Sequence, residues 1–226
     1  MTSLNNKTVL LTAGPTYEPI DPVRFIGNHS TGKMGYALAE CFAQAGARVF
    51  LVSGPTQQQA RHPHIRVLPV TTADQMYEQV SSLAPQADIL VFAAAVADYK
   101  PKNVSPVKVK KNEDTLILEL VKNVDIAKAV GQAKKPGQFL VGFALETDNE
   151  MFNARAKLQS KNLDLIVLNS LQDEGAGFRH DTNKISIIEP DKITPFALKS
   201  KMEVARDIVT FIAQKIDEKI SSDPDL

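Results

Sequence analysis

The chain has few of the residues that form covalent cross-links or thiolate metal sites. Cys41 is its one cysteine among 226 residues, which excludes an internal disulfide and a cysteine-based zinc site. Lysine plus arginine equals aspartate plus glutamate, at 26 each, so no overall charge favours nucleic acid or a membrane surface. No apolar run approaches the roughly 20 residues that cross a bilayer, and residues 1–7 lack the apolar core of a signal peptide. These absences predict a cytoplasmic protein that binds neither nucleic acid nor membrane.

The order of apolar patterns predicts the fold class. Short aliphatic runs alternate with helical patterns, which favours an α/β fold: a Rossmann-like, mostly parallel sheet flanked by helices. One nucleotide-binding domain, residues 1–226, accounts for this length, and the polar end at 221–226 is expected to fray. The predicted strands are 8–12, 48–52, 65–70, 89–93, 139–143, 165–168 and 184–188. The predicted helices are 32–45, 73–83, 125–133, 149–161 and 199–219.

One segment, residues 100–120, interrupts this alternation and is named the flap below. It contains two X-Pro pairs, then Val107-Lys108-Val109-Lys110-Lys111 and an apolar run at 115–118. The pattern predicts a β-hairpin inserted between sheet elements, with its turn at 112–114. Two interpretations of its lysines stay open. They protect a solvated edge strand, or they carry ammonium groups to a polyphosphate.

The segment between Gly14 and Gly35 follows an apolar strand and leads into an alanine-rich helix. Such a strand, glycine-bearing loop and helix N-terminus form an anion site, because the first N–H groups of a helix have no partner within it. Gly14, Ser30 and Gly32 are the candidate phosphate-binding positions. Asn28 is either an amide that stabilises a developing oxyanion or a turn residue. Arg24 is either a forked donor for carboxylate or phosphate or a surface residue.

Familiar nucleotide motifs do not describe this loop. Residues 27–33 fit the first seven positions of a P-loop, but Met34 stands where a hydroxyl should bind magnesium. No Gly-x-Gly-x-x-Gly follows the first predicted strand, and the second strand ends without an acidic residue for a ribose diol. These differences argue against an NAD(P)-dependent reductase. It is kept as one alternative, and a non-catalytic nucleotide-binding module is kept as the other.

Small residues follow the most apolar predicted strand, at positions 93–97. At the carboxyl end of a central strand, small side chains let a ligand approach the backbone closely. Asp98, at their end, either binds a ribose hydroxyl or metal-bound water or caps the next turn. Lys157 and Lys161 share one face of a predicted helix. They matter for binding only if that face borders the nucleotide cleft.

Together these segments resemble a known family: phosphopantothenate–cysteine ligase, also called phosphopantothenoylcysteine synthetase, of the bacterial CTP-using type. The resemblance spans nearly the whole chain and is highly specific, because many unusual segments occur in one order. The segments that carry it are 12–16, 21–24, 28–35, 51–55, 94–99, 108–111, 122–123, 141–144 and 146–147.

The resemblance implies a ligase of coenzyme A biosynthesis that is unrelated to the ATP-grasp enzymes. In this family the carboxylate of 4′-phosphopantothenate attacks the α-phosphate of CTP, which gives an acyl-cytidylate and pyrophosphate. The amine of L-cysteine then displaces CMP. The resemblance further implies Mg²⁺ with CTP (its protein ligands unknown), a homodimer, and neither flavin nor NAD in this chain. A separate flavin-dependent decarboxylase, acting next in the pathway, is the corresponding partner.

The resemblance also implies roles for individual positions. Asn28 corresponds to the essential asparagine that handles the acyl-cytidylate, and Lys108 to the flap lysine that serves nucleotide phosphates and the later step. Arg24, Asn28, Ala94 and Ala95 correspond to substrate-binding positions. The positions that correspond to nucleotide contacts are Phe92, Ala93, Ala94, Asp98, Lys108, Val124, Asp125, Ile126, Ala127, Phe143, Lys157 and Lys161.

Overall fold

The computed structural model describes residues 4–110, 115–146, 149–170 and 181–222. The strands, in chain order, are β1 (Thr8–Ala13), β2 (Tyr17–Pro19), β3 (Phe25–Gly27), β4 (Arg48–Ser53), β5 (Ile65–Pro69), β6 (Ile89–Phe92), β7 (Tyr99–Pro101), β8 (Leu120–Lys122), β9 (Phe139–Glu146), β10 (Leu165–Ser170), β11 (Thr182–Asn183), β12 (Ile185–Ile188), β13 (Ile193–Pro195) and β14 (Lys199–Ser200). The helices are α1 (Lys33–Gln44), α2 (Ala73–Leu83), α3 (Ile126–Gln132), α4 (Glu150–Ser160) and α5 (Lys201–Ser222), with a 3₁₀ turn at Ala84–Gln86.

Eight of the described strands form the central sheet, in the order β13-β12-β10-β9-β6-β1-β4-β5. Six neighbouring strands of this sheet pair in parallel, in the order β10-β9-β6-β1-β4-β5. Strands β12 and β13 extend one edge in antiparallel pairing. The six parallel strands have the order of a dinucleotide-binding fold, in which the direction of winding reverses between β1 and β6. The predicted Rossmann-like α/β fold with a mostly parallel sheet is confirmed.

Both faces of the sheet are covered by helices. Along β1, Val9 and Leu11 pack in one apolar cluster with α1 and α5, whereas Leu10 packs in a second cluster with α2, α3 and α4. Alternate side chains of a strand point to opposite faces, and here both faces are apolar, as in parallel sheets enclosed by crossover helices. Among the described residues, the strand ends and the loops and helix ends around them are therefore where a binding site can form.

The predicted strands and helices are confirmed, with ends that shift by up to three residues. The largest shifts extend β9 to Glu146 and α5 to Ser222. Helix α5 therefore includes the first two residues of the expected frayed tail, and residues 223–226 lie outside the described part. The sequence did not reveal the β2–β3 hairpin or strands β11, β13 and β14. Each of these strands has only two or three residues, too few to show a periodic pattern.

The flap is a hairpin at its base. Strands β7 and β8 pair in antiparallel fashion, and the Lys102 N–H donates to the Glu119 carbonyl at 2.9 Å. Of the two interpretations of the flap lysines, the edge strand through Lys108 and Lys110 is wrong, because residues 102–110 contain no strand. The main chain of Val109 instead bonds to the side chains of Asp21 and Arg24. The predicted turn at 112–114 lies outside the described residues.

Candidate nucleotide-binding site

The loops after β1, β4 and β6 are held together where the winding of the sheet reverses. Gly14 has a φ of +75°, and a Cβ on Gly54 would lie 1.7 Å from the Pro15 carbonyl oxygen. Pro15 forms a bridge with Ala95, whose N–H donates to the Gly14 carbonyl at 2.9 Å. Open α/β sheets bind ligands at this reversal point, beyond the carboxyl ends of the strands.

Helix α1 begins at the same edge of the sheet. Gly32 precedes it with a φ of +76°, and its N–H donates to Ser30 Oγ at 3.3 Å. Gly35 lets the helix approach β1 closely, since a Cβ there would come 2.5 Å from Ala13 Cβ. In the described part of the chain, no side chain caps the first turn and no acidic residue lies in it. The first N–H groups of α1 are therefore available to an anion.

A cavity of about 270 Å³ lies between the ends of β6 and β9 and helices α3 and α4, and is named the α3–α4 cavity. Ten residues predicted to contact nucleotide line it, although they come from distant parts of the sequence. They are Phe92, Ala94, Asp98, Val124, Asp125, Ile126, Ala127, Phe143, Lys157 and Lys161.

Helix α3 fixes the position of Lys161 at the wall of this cavity. Lys161 Nζ lies 2.9 Å from Asp125 Oδ2, and Asp125 in turn caps α3 by accepting the Lys128 N–H at 3.0 Å. Gly131 allows the two helices to meet, because a Cβ there would come 1.8 Å from the Lys161 carbonyl oxygen. Lys157, one turn earlier on α4, lines the same wall. This wall therefore carries two lysine side chains, of which Lys161 is paired with Asp125.

Asn123 supports the loop at the floor of the α3–α4 cavity. Its Nδ2 donates to the Ala97 carbonyl at 2.8 Å, and its N–H donates to the Asp98 carbonyl at 2.9 Å. Both bonds hold the small-residue loop against the start of α3. The sequence drew attention to Asn123 only as one residue of a family-like segment, with no role attached.

A second cavity, of about 160 Å³, lies beside the start of α1 and is named the α1 cavity. Ser30, Gly32 and Ala93, which were predicted to contact nucleotide, line this cavity and not the other. Ala94, Ala95 and Phe143 line both cavities, so the two spaces adjoin along these residues. Further lining residues that the sequence did not predict are Lys33, Asn169, Asn183 and Lys201.

Lys201 adds a buried cation to the α1 cavity. It is 8% exposed, and burial followed by the charge of Lys33 lowers its pKa, while Asp181 acts in the opposite direction. Its N–H donates to the Asp181 carbonyl at 2.9 Å, and Lys33 Nζ lies 2.5 Å from Asp181 Oδ1. The region between α1 and α5 thus presents two ammonium groups near the free N–H groups of α1.

Asn28 connects the segment between Gly14 and Gly35 to Ala95, which lines both cavities, and to Val96, which lines the α3–α4 cavity. Its Nδ2 donates to the carbonyls of Ala95 and Val96 at 3.0 and 3.2 Å. The amide hydrogens, which one of the two interpretations assigned to oxyanion stabilisation, hold the cavity wall in this structure. Asn28 itself lines neither cavity, and its role in the acyl-cytidylate chemistry stays a prediction.

Three other predicted site residues also lie outside both cavities. Gly14 acts through the turn described above. Lys108 is exposed on the flap, and Arg24 donates to Asp21 Oδ2 from Nη2 at 2.5 Å. The structure therefore brings Arg24 to the flap, not to the cavity walls.

The chemistry available at the two cavities is that of amides, ammonium groups and carboxylates. Within the described ranges, no group of three or more His, Cys, Asp or Glu side chains is placed to hold a metal ion. Cys41 is buried on α1, and burial raises the pKa of its thiol to about 11. A protonated thiol is a poor nucleophile at neutral pH.

No helix among the described residues is long and apolar enough to span a membrane.

Comparison with known proteins gives one matching family and relatives that carry two different names. The family model of the DNA/pantothenate metabolism flavoprotein C-terminal domain matches residues 4–216. A cysteine/cysteine sulfinic acid decarboxylase of an unknown prokaryotic organism is 50% identical over 207 residues, which cover 91% of this chain and 58% of that protein. The coenzyme A biosynthesis bifunctional protein CoaBC of Bacillus subtilis (strain 168) is 48% identical over 211 residues, which cover 93% of this chain and 52% of that protein.

A solved structure matches over its whole length. The crystal structure of the C-terminal domain of a coenzyme A biosynthesis bifunctional protein CoaBC has a TM-score of 0.82 and 39% identity. The match covers 96% of this chain and 100% of that domain. By contrast, the chain spans little more than half of the two relatives above.

Proposed function

This chain belongs to the family of DNA/pantothenate metabolism flavoprotein C-terminal domains, and on that premise we propose that it joins 4′-phosphopantothenate to L-cysteine at the expense of CTP. The likeness to the C-terminal domain of CoaBC, a protein named for coenzyme A biosynthesis, supports the proposal. The observation that carries it is the arrangement of two adjoining cavities at the reversal point of the sheet. Residues predicted to contact nucleotide line both of them.

The proposed first step activates the substrate carboxylate. A carboxylate oxygen of 4′-phosphopantothenate attacks the α-phosphorus of CTP, and the bond to the β-phosphate oxygen breaks to release pyrophosphate. The nucleoside occupies the α3–α4 cavity, where Ala94 and Ala95 permit close approach to the backbone. The phosphates extend toward the start of α1, where free N–H groups and Lys201 offset their charge.

The proposed second step forms the amide. The amine of L-cysteine attacks the acyl carbon, loses a proton, and displaces CMP. Asn28 positions the acyl-cytidylate by holding the loop at Ala95 and Val96. Lys108 serves the phosphates from the flap, which also shields the reactive intermediate from water.

Magnesium is proposed to enter with CTP. Mg²⁺ is usually held by one or two carboxylates together with substrate phosphates. Asp98 and Asp125 are the carboxylates among the residues that line the α3–α4 cavity, and Asp125 is paired with Lys161. Neither carboxylate lines the α1 cavity, toward which the phosphates are proposed to extend, so Mg²⁺ is assigned no protein ligand. A homodimer, a cytoplasmic location and a separate decarboxylase partner are proposed from the family resemblance.

Product analysis of the purified chain tests the proposed function. With CTP, Mg²⁺ and 4′-phosphopantothenate we expect pyrophosphate release, and with L-cysteine added we expect CMP and the amide. Rates with CTP, ATP, GTP and UTP should be highest for CTP. Absence of pyrophosphate with all four nucleotides would contradict the proposal. Oxidation of NAD(P)H would favour a reductase, nucleotide binding without turnover a passive module, and nucleotide-independent CO₂ release from cysteine a decarboxylase.

Replacing Lys161 by glutamine should weaken CTP binding more than catalysis. The change removes the ammonium group beside Asp125 at the wall of the α3–α4 cavity. We expect KM for CTP to rise about tenfold with little change in kcat, as for a contact made equally in the ground and transition states. Lys199→Gln is the matched control, because Lys199 pairs with Asp207 at 2.6 Å and lines neither cavity. Equal KM values for the two variants would exclude a nucleotide contact at Lys161.

A further inference from the structure

We propose that Asp21 is a positioning residue for the flap lysine. Together with Arg24 it holds the main chain of Val109, and Lys108 is the adjacent residue. These three residues, Asp21, Arg24 and Val109, are named the clasp. The inference rests on the proposed function in one respect, namely that Lys108 serves the reaction.

The clasp binds both polar groups of one flap residue. The Val109 N–H donates to Asp21 Oδ2 at 3.1 Å, and the Val109 carbonyl accepts from Arg24 Nη2 at 3.0 Å. Arg24 also donates to Asp21 Oδ2, from Nε at 3.1 Å and from Nη2 at 2.5 Å. The two side chains thus replace the neighbouring strand that Val109 lacks.

Asp21 is held in place by bonds that do not involve the flap. It is 3% exposed, and its Oδ1 accepts the N–H groups of Val23 and Arg24 at 2.8 and 2.9 Å. The turn is closed by the Ile20 N–H, which donates to the Arg24 carbonyl at 2.8 Å. A buried carboxylate with several donors presents a rigid acceptor, so its bond to Val109 also fixes the flap residue.

The charge of Asp21 strengthens the clasp. Hydrogen bonds from the Arg24 side chain hold the pKa of Asp21 well below its ordinary value of 3.8; burial opposes this shift, and the N–H groups of Val23, Val109 and Arg24 add to it. A depressed carboxyl pKa gives stability that is fully present above pH 3.8 and is lost as pH falls below it. The clasp is therefore complete throughout the neutral range.

A second bond anchors the flap to the same turn. The Ser105 N–H donates to the Ile20 carbonyl at 3.0 Å. Lys108 consequently lies between two anchored residues, Ser105 and Val109. The turn at 20–24 joins β2 to β3, and Asn28 follows β3 directly. The clasp therefore couples the flap lysine to the loop that carries Asn28.

The clasp also limits how Arg24 can act on a substrate. Nε and Nη2 are used on Asp21 and Val109, so Nη1 is the nitrogen left for a ligand among the bonds of the described residues. The side chain is 39% exposed. A substrate carboxylate bound to Nη1 would therefore lie next to the anchored flap.

A double-mutant cycle between Asp21 and Lys108 tests the proposal. Asp21→Asn keeps the shape of the side chain but removes its charge and sets an amide against the donors of the clasp. We expect it to lower kcat for amide formation about tenfold with KM for CTP unchanged. The Asp21→Asn/Lys108→Gln double variant should then match Lys108→Gln within about twofold, because both changes remove one function. Effects that multiply, or an unchanged kcat in Asp21→Asn, would overturn the proposal.

Two further variants separate positioning from folding. Val109→Pro removes the flap N–H without altering Asp21 or its turn, and it also restricts the backbone of Lys108; an unchanged kcat would therefore refute the clasp. Glu119→Gln removes the carboxylate charge from the exposed Lys102–Glu119 pair, 2.7 Å long, at the flap base, and should leave kcat unchanged.

Hydrogen exchange tests whether the clasp forms, without any assay of ligase activity. The Val109 amide should exchange slowly in the wild-type chain and rapidly in Asp21→Asn, since its acceptor is altered. The Lys102 amide, bonded at the flap base, should be equally protected in both. Equal exchange at Val109 would refute the clasp. A chain that fails to use CTP but shows the expected exchange would refute the proposed function alone.

Discussion

Replacing Asn28 by alanine should slow amide formation by at least about a hundredfold, with little change in melting temperature. Asn28 holds the carbonyls of Ala95 and Val96 at 3.0 and 3.2 Å, and Ala95 lines both cavities. Without these bonds the shared wall is free to move, and a misplacement of about 1 Å at a reacting centre can reduce a rate by about a hundredfold. Because Asn28 is exposed, its loss removes little buried surface.

Asn28→Asp tests whether the rate depends on the two N–H donors of the Asn28 side chain or on the size of that side chain. A carboxylate has the same shape but would face two carbonyl oxygens, so we expect a loss similar to that in Asn28→Ala. Asn103→Ala removes another exposed asparagine and should retain the wild-type rate. Pyrophosphate release and amide formation should be followed separately in single-turnover experiments. Near-normal rates in Asn28→Ala would contradict the role proposed for Asn28.

Elements with strong local signals could be predicted from the sequence almost to the residue. Helix α2 has the predicted bounds, because residues next to each of its ends specify where it begins and where it ends. Thr72 and Gln75 form a capping box at its start, a pattern that favours helix initiation. Pro85, two residues after its end, favours termination there. The end of β9 was harder to predict, because nothing in residues 144–146 marks the end of a strand.

The cavities required information that no local pattern holds. The lining of the α3–α4 cavity combines residues after β6, around α3, on β9 and on α4. They meet because β6 and β9 are neighbours in the sheet, and periodicity does not reveal strand order. The family resemblance suggested most of these positions. Lys201 could not be suggested in this way: a lysine that begins an amphipathic helix is typically exposed, yet this one is buried.

The flap shows how a correct pattern can give a wrong structure. Alternating valine and lysine at 107–110 is typical of an edge strand. The structure satisfies the main chain of Val109 with two side chains from the turn at 20–24. Strand propensity describes side-chain packing on a pleated surface. It carries no information about a distant carboxylate that takes the place of a neighbouring strand.

Replacing Gly54 by alanine should destabilise the fold by roughly 3 kcal/mol, the upper range for adding a methyl group to a packed site. The new Cβ would lie 1.7 Å from the Pro15 carbonyl oxygen, a main-chain atom. Pro15 cannot withdraw easily, since it follows Gly14 at a φ of +75° and is bridged to Ala95. Relieving the contact would therefore separate the loops after β1, β4 and β6. Urea unfolding and the rate with CTP should both report the change.

Gly137→Ala is the matched control, because it adds the same methyl group under a different constraint. Gly137 has a φ of +81° and is exposed, so alanine there should cost about 1–2 kcal/mol of backbone strain and leave the rate with CTP unchanged. In Gly54→Ala the rate should fall together with the stability, since Pro15 is bridged to Ala95, which lines both cavities. A Gly54→Ala chain as stable and active as wild type would mean that the loops after β1 and β4 can move apart. The close contact of Gly54 with Pro15 would then not be what shapes the nucleotide site.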